Sequence, residues 1–333
     1  MGRRHLAYGR ETLLSEPLGL LNDGGHLHWL LRPLAQRTII LEEERSDMNP
    51  TQRREQFRAI LAGDRCVHPA SVFDPISARI AEDLGFEVAF MAGSIASATV
   101  LGAPDLVVLT LTEFAEQIRR ICRAANISLV VDADHGYGNA LNVMRTVEEL
   151  ETAGLAGLTI EDTVLPQRFG TTKGEELISL EEGVGKMKAA LAGRQDPSLV
   201  IIARTSALRT EGVVGTVRRA RAYEEAGVDA VWLAGGVTRE GVSEVHAVVQ
   251  LPLLLGGGDG NLTDDFLTAH GVRVAHQGHL PFAGAVKGIY DTLKALRDGV
   301  APTELRAHVA STELMNQLTR RADYNRWTDE YLH

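Results

Sequence analysis

A chain of 333 residues with 44% hydrophobic but only 5% aromatic side chains draws its core from Ala, Val, Leu and Ile, a composition suited to buried parallel strands covered by helices. The formal net charge of −10 excludes general nucleic-acid binding, which needs a clustered cationic surface. No apolar run reaches the roughly 18 residues of a membrane helix. Two cysteines, Cys66 and Cys122, make neither a zinc ligand set nor a disulfide framework, so the expected setting is a reducing cytoplasm with no membrane partner.

Residues 1–47 carry scattered Gly, Pro, His and Trp without a clear period and read as an N-terminal extension. Behind Arg3-Arg4 there is no sustained apolar segment, so no secretory signal is expected. Met48-Asn-Pro-Thr51 looks like a cleaner start, with Thr51 as helix cap and Phe57, Ile60 and Leu61 as the apolar face. Trimming to Met48 is expected to leave folding and activity intact. From Cys66 the chain alternates: an apolar run to Phe73, a helix near 77–84, a run Glu87–Ala92, a helix near 112–125, and a run Ser128–Asp134. A helix near 141–153 follows, then the run 157–161, a long loop, a helix near 180–193 and the run 198–204.

The pattern repeats with a helix near 213–226 closed by Gly227, Ala230–Ala234, a helix near 238–249, Pro252–Leu255, a helix near 263–269, Val272–Ala275 and a helix near 281–297. Eight strand–helix pairs imply parallel strands with right-handed crossovers, and eight can close a (β/α)8 TIM-type barrel over 48–299. An open doubly wound sheet is the alternative. Residues 300–333 form a C-terminal helical segment whose Tyr324, Trp327 and Tyr331 need burial. Arg53-Arg54, Arg119-Arg120 and Arg218-Arg219-Ala-Arg221 are assigned to exposed, salt-linked helix faces.

In such barrels the site lies at the C-terminal strand ends. Collecting the residues there gives Asp74, Gly93-Ser94, Asp132 and Asp134, Glu161, Arg204, Gly235-Gly236, Gly256-Gly257-Gly258 and Gly278-His279. Asp132 and Asp134 share a face if the strand runs through both, and adjacent carboxylates repel unless a cation joins them. Hard oxygen donors suit Mg²⁺ or Mn²⁺. A carboxylate-held cation beside an Arg describes a pocket for a small, anionic, metal-chelating acid. The glycine run 256–261 is taken as a flexible connection rather than a phosphate cradle, and 163–178 as a loop that closes over substrate.

The stretch Asp132-Ala-Asp134-His135-Gly-Tyr137-Gly-Asn139, followed by Ile160-Glu161-Asp162, resembles the isocitrate lyase and phosphoenolpyruvate mutase superfamily. Supporting matches are Ser71-Val-Phe-Asp74, Gly93-Ser94-Ile-Ala-Ser97, Gly102-Ala-Pro-Asp105 and Ile202-Ala-Arg204-Thr205, over about residues 55–295. Where the cysteine-using lyases carry Lys-Arg/Lys-Cys-Gly-His, this chain reads Gln167-Arg-Phe-Gly170-Thr-Thr-Lys173. Together with Gln277-Gly-His279, the pattern is most similar to the oxaloacetate decarboxylase branch, although the tyrosine typical after its seventh strand is replaced by glycine-rich sequence.

The resemblance implies Mg²⁺ or Mn²⁺ held directly by Asp134, with Asp132, Asp105 and Glu161 acting through bound waters. It implies Arg204 and His279 as catalytic and substrate-binding groups, and the backbone N–H groups of Ser94 and Ile95 as further substrate contacts. His135, Tyr137 and Asn139 shape the metal loop. The activity implied is decarboxylation or C–C cleavage of oxaloacetate or a related 2-oxo dicarboxylic acid through a metal-stabilised enolate. Alternatives are a P–C bond mutase or hydrolase, a 2-methylisocitrate-lyase-like enzyme, or a metal-dependent 2-oxo acid binder without turnover. A homotetramer or homodimer exchanging C-terminal helices is the implied assembly.

Overall fold

The computed structural model describes residues 48–170, 174–257 and 260–333. The extension 1–47, part of the 163–178 loop and part of the 256–261 glycine run lie outside the described residues. In chain order the elements are α1 (Pro50–Ala62), β1 (Ala70–Ser71), α2 (Pro75–Asp83), β2 (Val88–Met91), α3 (Gly93–Ala96), α4 (Leu111–Ala124), β3 (Ser128–Asp132), α5 (Ala140–Ala153), β4 (Gly157–Glu161), α6 (Leu180–Gly193) and β5 (Val200–Thr205). Then follow α7 (Ala207–Thr210), α8 (Gly212–Ala226), β6 (Ala230–Ala234), α9 (Arg239–His246), β7 (Leu253–Gly256), α10 (Asp264–Ala269), β8 (Val272–His276) and α11 (Leu280–Arg297). Three short helices end the chain: α12 (Pro302–Leu305), α13 (Thr312–Leu318) and α14 (Arg321–Tyr331).

The strands are parallel and lie in sequence order, β1 to β8. Val67, just before β1, pairs with Val274 of β8: its N–H donates to Arg273 O at 2.9 Å and its carbonyl accepts from Ala275 N at 3.0 Å, joining the first and last strands. This is the (β/α)8 arrangement expected from the alternation. Alternate strand residues point inward, so Phe90, Val130, Ile202, Trp232, Leu254 and Val274 fill one core inside the sheet. Phe57 and Leu61 of α1 join that core and cover the N-terminal end. Gly157 makes room for α1, since a Cβ there would stand 3.0 Å from Phe57 Cε1. The other face of the sheet packs on the helices through Ile118, Val147, Leu158, Met187 and Tyr223.

Several local readings change. The cap of α1 is Asn49, not Thr51: Asn49 and Gln52 form a reciprocal capping box with Pro50 at the first helical position. Thr51 lies in the first turn and its hydroxyl donates to Asp196 at 2.8 Å. Asp74 is not a pocket acid but the cap of α2, accepting from Ser77 N at 2.7 Å. Arg53, Arg54 and Arg219 are buried rather than exposed. Arg54 donates to the carbonyls of Leu155 (3.1 Å) and Glu151 (2.8 Å) and pairs with Asp196 at 2.7 Å. A charge pattern on a helix does not distinguish a solvated face from one that satisfies loop carbonyls of a neighbour.

Candidate metal and substrate site

Strand β3 ends at Asp132. It does not continue through Asp134, which adopts φ 48°. The two carboxylates converge through a turn and not through strand alternation. Within the turn Asp134, Gly136 (φ 77°), Tyr137 (φ 60°) and Gly138 (φ 149°) all have positive φ. Glycine tolerates this, whereas Asp134 and Tyr137 are strained by about 1–3 kcal/mol each. Asn139 then caps α5.

A cavity of about 580 Å³ opens at the C-terminal ends of the strands. It is lined by Ser94, Asp105, Asp132, Glu161, Arg204 and His279 among others, so the sequence-derived candidates are largely gathered in one place. Asp132 Oδ1 accepts from Thr159 Oγ1 at 2.8 Å and from Asp134 N at 3.2 Å. Asp132 Oδ2 pairs with Arg204, whose Nε lies 3.3 Å from Glu161 Oε2. Gly93 abuts Asp134: a Cβ there would meet Oδ1 at 2.5 Å. Ile95 is buried, and with Ser94 it sits in the first turn of α3, which has no side-chain cap.

Burial dominates the electrostatics. It pushes the Asp134 carboxyl well above the usual range, reinforced by Asp132, Glu161 and Asp105. It also pushes Glu161 up to about 7, against the pull of Arg204. Burial alone would lower Arg204, but Asp132 and Glu161 hold its guanidinium firmly charged. Desolvation lowers His279, and its Nδ1 is 2.8 Å from Ser71 Oγ. His135 is buried and lowered to about 4 by desolvation and then by Lys186. Among the described residues no three His, Cys, Asp or Glu side chains stand in a ligating arrangement; Arg204 bridges Asp132 and Glu161 instead.

Further lining residues escaped the sequence reading: Phe90, Trp232, Glu175, Arg209 and His276. Phe90 stacks on Trp232 with ring centroids 4.9 Å apart and lies 5.0 Å from the His276 ring. His276 Nδ1 accepts from Gly278 N at 3.1 Å, so in neutral His276 Nε2 carries the proton. Strand parity was the available signal, because 274 and 276 share the inward face of β8, as do 230, 232 and 234 on β6. Arg209, which pairs with Glu175 at 3.1 Å, lies on a helix the sequence reading did not contain and left no comparable trace.

Residues 57–297 match the family described as phosphoenolpyruvate phosphomutase. The chain belongs to this family. Within the family, it is 54% identical over 281 residues to an oxaloacetate decarboxylase of Bradyrhizobium sp. strain BTAi1, covering 84% of this chain and 97% of that protein. It is 56% identical over 271 residues to an oxaloacetate decarboxylase of Rhodopseudomonas palustris strain BisB18, covering 81% and 93%. Among solved structures it resembles a phosphonopyruvate hydrolase in complex with oxalate and Mg²⁺, with a TM-score of 0.75, 29% identity, and coverage of 86% of this chain and 100% of that one.

The donor set of this phosphomutase-family chain fits a divalent cation. It is all hard oxygen: Asp132 and Glu161 are buried and paired with Arg204, and their charges, with that of Asp105, oppose ionisation of Asp134.

Proposed function

We propose that the chain is a Mg²⁺-dependent oxaloacetate decarboxylase, a carbon–carbon lyase acting on a small 2-oxo dicarboxylic acid. The observation that carries the reading is the convergence of Asp132, Glu161 and Asp105 on one cavity with Asp134 beside them, its N–H 3.2 Å from Asp132 Oδ1, together with 54–56% identity to curated oxaloacetate decarboxylases over most of both chains. Asp134 would hold the cation, with Asp132, Asp105 and Glu161 acting through bound waters; Mn²⁺ is the alternative ion. When bound, a divalent cation supplies Lewis-acid stabilisation of the charge that develops on the substrate's C2 oxygen.

The protein's own groups do the rest. Backbone N–H groups at Ser94 and Ile95 bind the C1 carboxylate, and Arg204 orients the carboxylates around it and offers its guanidinium to the substrate. With the reactant held, the C3–C4 bond breaks, CO2 leaves, and the electron pair is shared between C3 and the C2 oxygen. His279, anchored through Nδ1 to Ser71, relays a solvent-derived proton: Nε2 gives its proton to C3 as Nδ1 takes one up through the Ser71 hydroxyl, giving pyruvate. The aromatic wall of Phe90 and Trp232 excludes water from that side.

The exposed apolar face of α11 supports a homo-oligomer with C-terminal helices exchanged between subunits, and the composition supports a cytoplasmic protein. The test mixes purified protein with Mg²⁺ and oxaloacetate and follows pyruvate above the metal-only background, with Asp134→Ala as control. Pyruvate formed by the wild type alone supports the reading; no pyruvate from the wild type refutes it, and phosphonopyruvate is then the next substrate to assay.

A further inference from the structure

Three consecutive carbonyls in the turn that carries Asp134 are held from three directions. Asp134 O accepts from Glu161 N at 2.8 Å. His135 O accepts from Lys186 Nζ on α6 at 2.9 Å, and Gly136 O accepts from Thr146 Oγ1 on α5 at 3.0 Å. The first is a backbone contact that many sequences would supply. The other two depend on side chains with no role in binding substrate. Lys186 is 3% exposed and Thr146 fully buried. An ammonium group is costly to bury, and an apolar side chain of similar volume would fill the same space without that cost.

The turn gives these donors a purpose. Its run of positive φ values places two non-glycine residues in a backbone conformation that L side chains rarely adopt. Such a conformation persists only where the surroundings over-determine it, and relaxation would carry the Asp134 carboxylate away from its neighbours. Helices α5 and α6 pack against each other, so donors from both reach successive carbonyls of one turn as a single clamp.

We infer that Lys186 and Thr146 are positioning residues that hold the Asp134 turn in its cation-binding shape; this rests on the metal-dependent reading above. Lys186 and Thr146 touch neither cation nor substrate. They act through the backbone at His135 and Gly136, in the way outer groups orient the ligands of metal sites.

The test uses the full chain, with Mn²⁺ as the probe, free ion followed by electron paramagnetic resonance, and urea unfolding of the same samples. Lys186→Met and Thr146→Val keep most of the volume and remove the donors. Each is expected to raise the Mn²⁺ dissociation constant about 10- to 100-fold, and the double variant to fall short of the product of the two because both act on one turn. Lys186→Gln retains a donor and is expected to recover part of the affinity, which a purely packing role would not produce.

A folded variant with wild-type Mn²⁺ affinity, whatever its urea midpoint, overturns the inference for that residue. If Lys186→Met does not fold, Lys186→Gln and Thr146→Val decide by the same criterion. A wild type that binds no Mn²⁺ overturns the metal reading itself, and that result is seen before any substitution is made.

Discussion

Gly93→Ala isolates the placement of one carboxylate from the stability of the fold. Gly93 opens α3 outside the left-handed backbone region, and an added Cβ would stand 2.5 Å from Asp134 Oδ1, 2.9 Å from Oδ2 and 3.0 Å from Cγ. Reaching an ordinary contact distance of 3.4 Å requires the carboxylate to move by about 0.9 Å, since carbon–oxygen overlap is far steeper than any rotamer cost. The backbone itself gains, because Ala suits a helix better than Gly by up to about 1 kcal/mol. A misplacement of this size is expected to lower metal-dependent turnover about 100-fold, or about 2.7 kcal/mol in the barrier. The assay is Mg²⁺-dependent pyruvate formation alongside Mn²⁺ affinity and urea unfolding without metal. Wild-type turnover and Mn²⁺ affinity in Gly93→Ala would refute the assignment of Asp134 as the direct ligand.

Tyr223→Phe removes the hydroxyl that donates to buried Asp162 at 2.6 Å, beside Arg219 at 3.2 Å; urea unfolding should show a loss of about 1.5–3 kcal/mol, and an unchanged midpoint would show the bond to be dispensable. Burial pushes Asp196 up, but donors on Ser198, Arg54 and Thr51 outweigh it and hold the carboxyl well below its usual range. A depressed folded pKa contributes stability that is present above the ordinary value near 3.8 and is lost as pH falls below it. Asp196→Asn should therefore be less stable than wild type at pH 7, with the gap closing below about pH 4; a gap independent of pH would show that the ionised form is not what matters. On α11, Val286, Ile289, Tyr290, Leu293 and Leu296 repeat along one helix face and are all exposed, an apolar surface of the kind that marks an interface. Light scattering should report a dimer or tetramer, with Leu293→Glu shifting it to smaller species, and a monomeric wild type would contradict the assembly.

The barrel was legible because its strands are bounded runs of buried residues and its helices carry a separate period. Each of the eight expected strands falls where an apolar run stood, with boundaries moved by a few residues, and the helix starts are decided by caps such as Asn49 and Asp74. The site was legible in residue type but less so in geometry. Asp132, Glu161 and Arg204 sit at strand ends, so barrel topology alone brings them together. Asp134 reaches the same place through a positive-φ turn, and the sequence hint was the pair of glycines around Tyr137 rather than a two-residue alternation. Thr159 lay inside a run read as apolar, yet it pairs across the sheet with Asp132 and shares the inward face with Glu161. The burial of Arg54 and Arg219 had no local signal, because it depends on which distant carbonyls and carboxylates the fold delivers.

Two independent costs coincide at Asp134. Its backbone is strained, and its half-buried carboxylate is raised by desolvation and by the charges of Asp132, Glu161 and Asp105. A structural aspartate at a turn needs neither: an exposed one avoids the desolvation, and a glycine at the same φ avoids the strain. Arg204 offsets only part of this charge, because its ion pairs are with Asp132 and Glu161. A divalent cation accounts for both costs at once, since it offsets the mutual repulsion of the carboxylates and needs Asp134 on the inner side of the turn. The same reasoning explains why Gly93, rather than a larger residue, faces that carboxylate. The strain, the charge and the missing Cβ are three features of different physical origin, and the cation proposed at Asp134 gives each a reason.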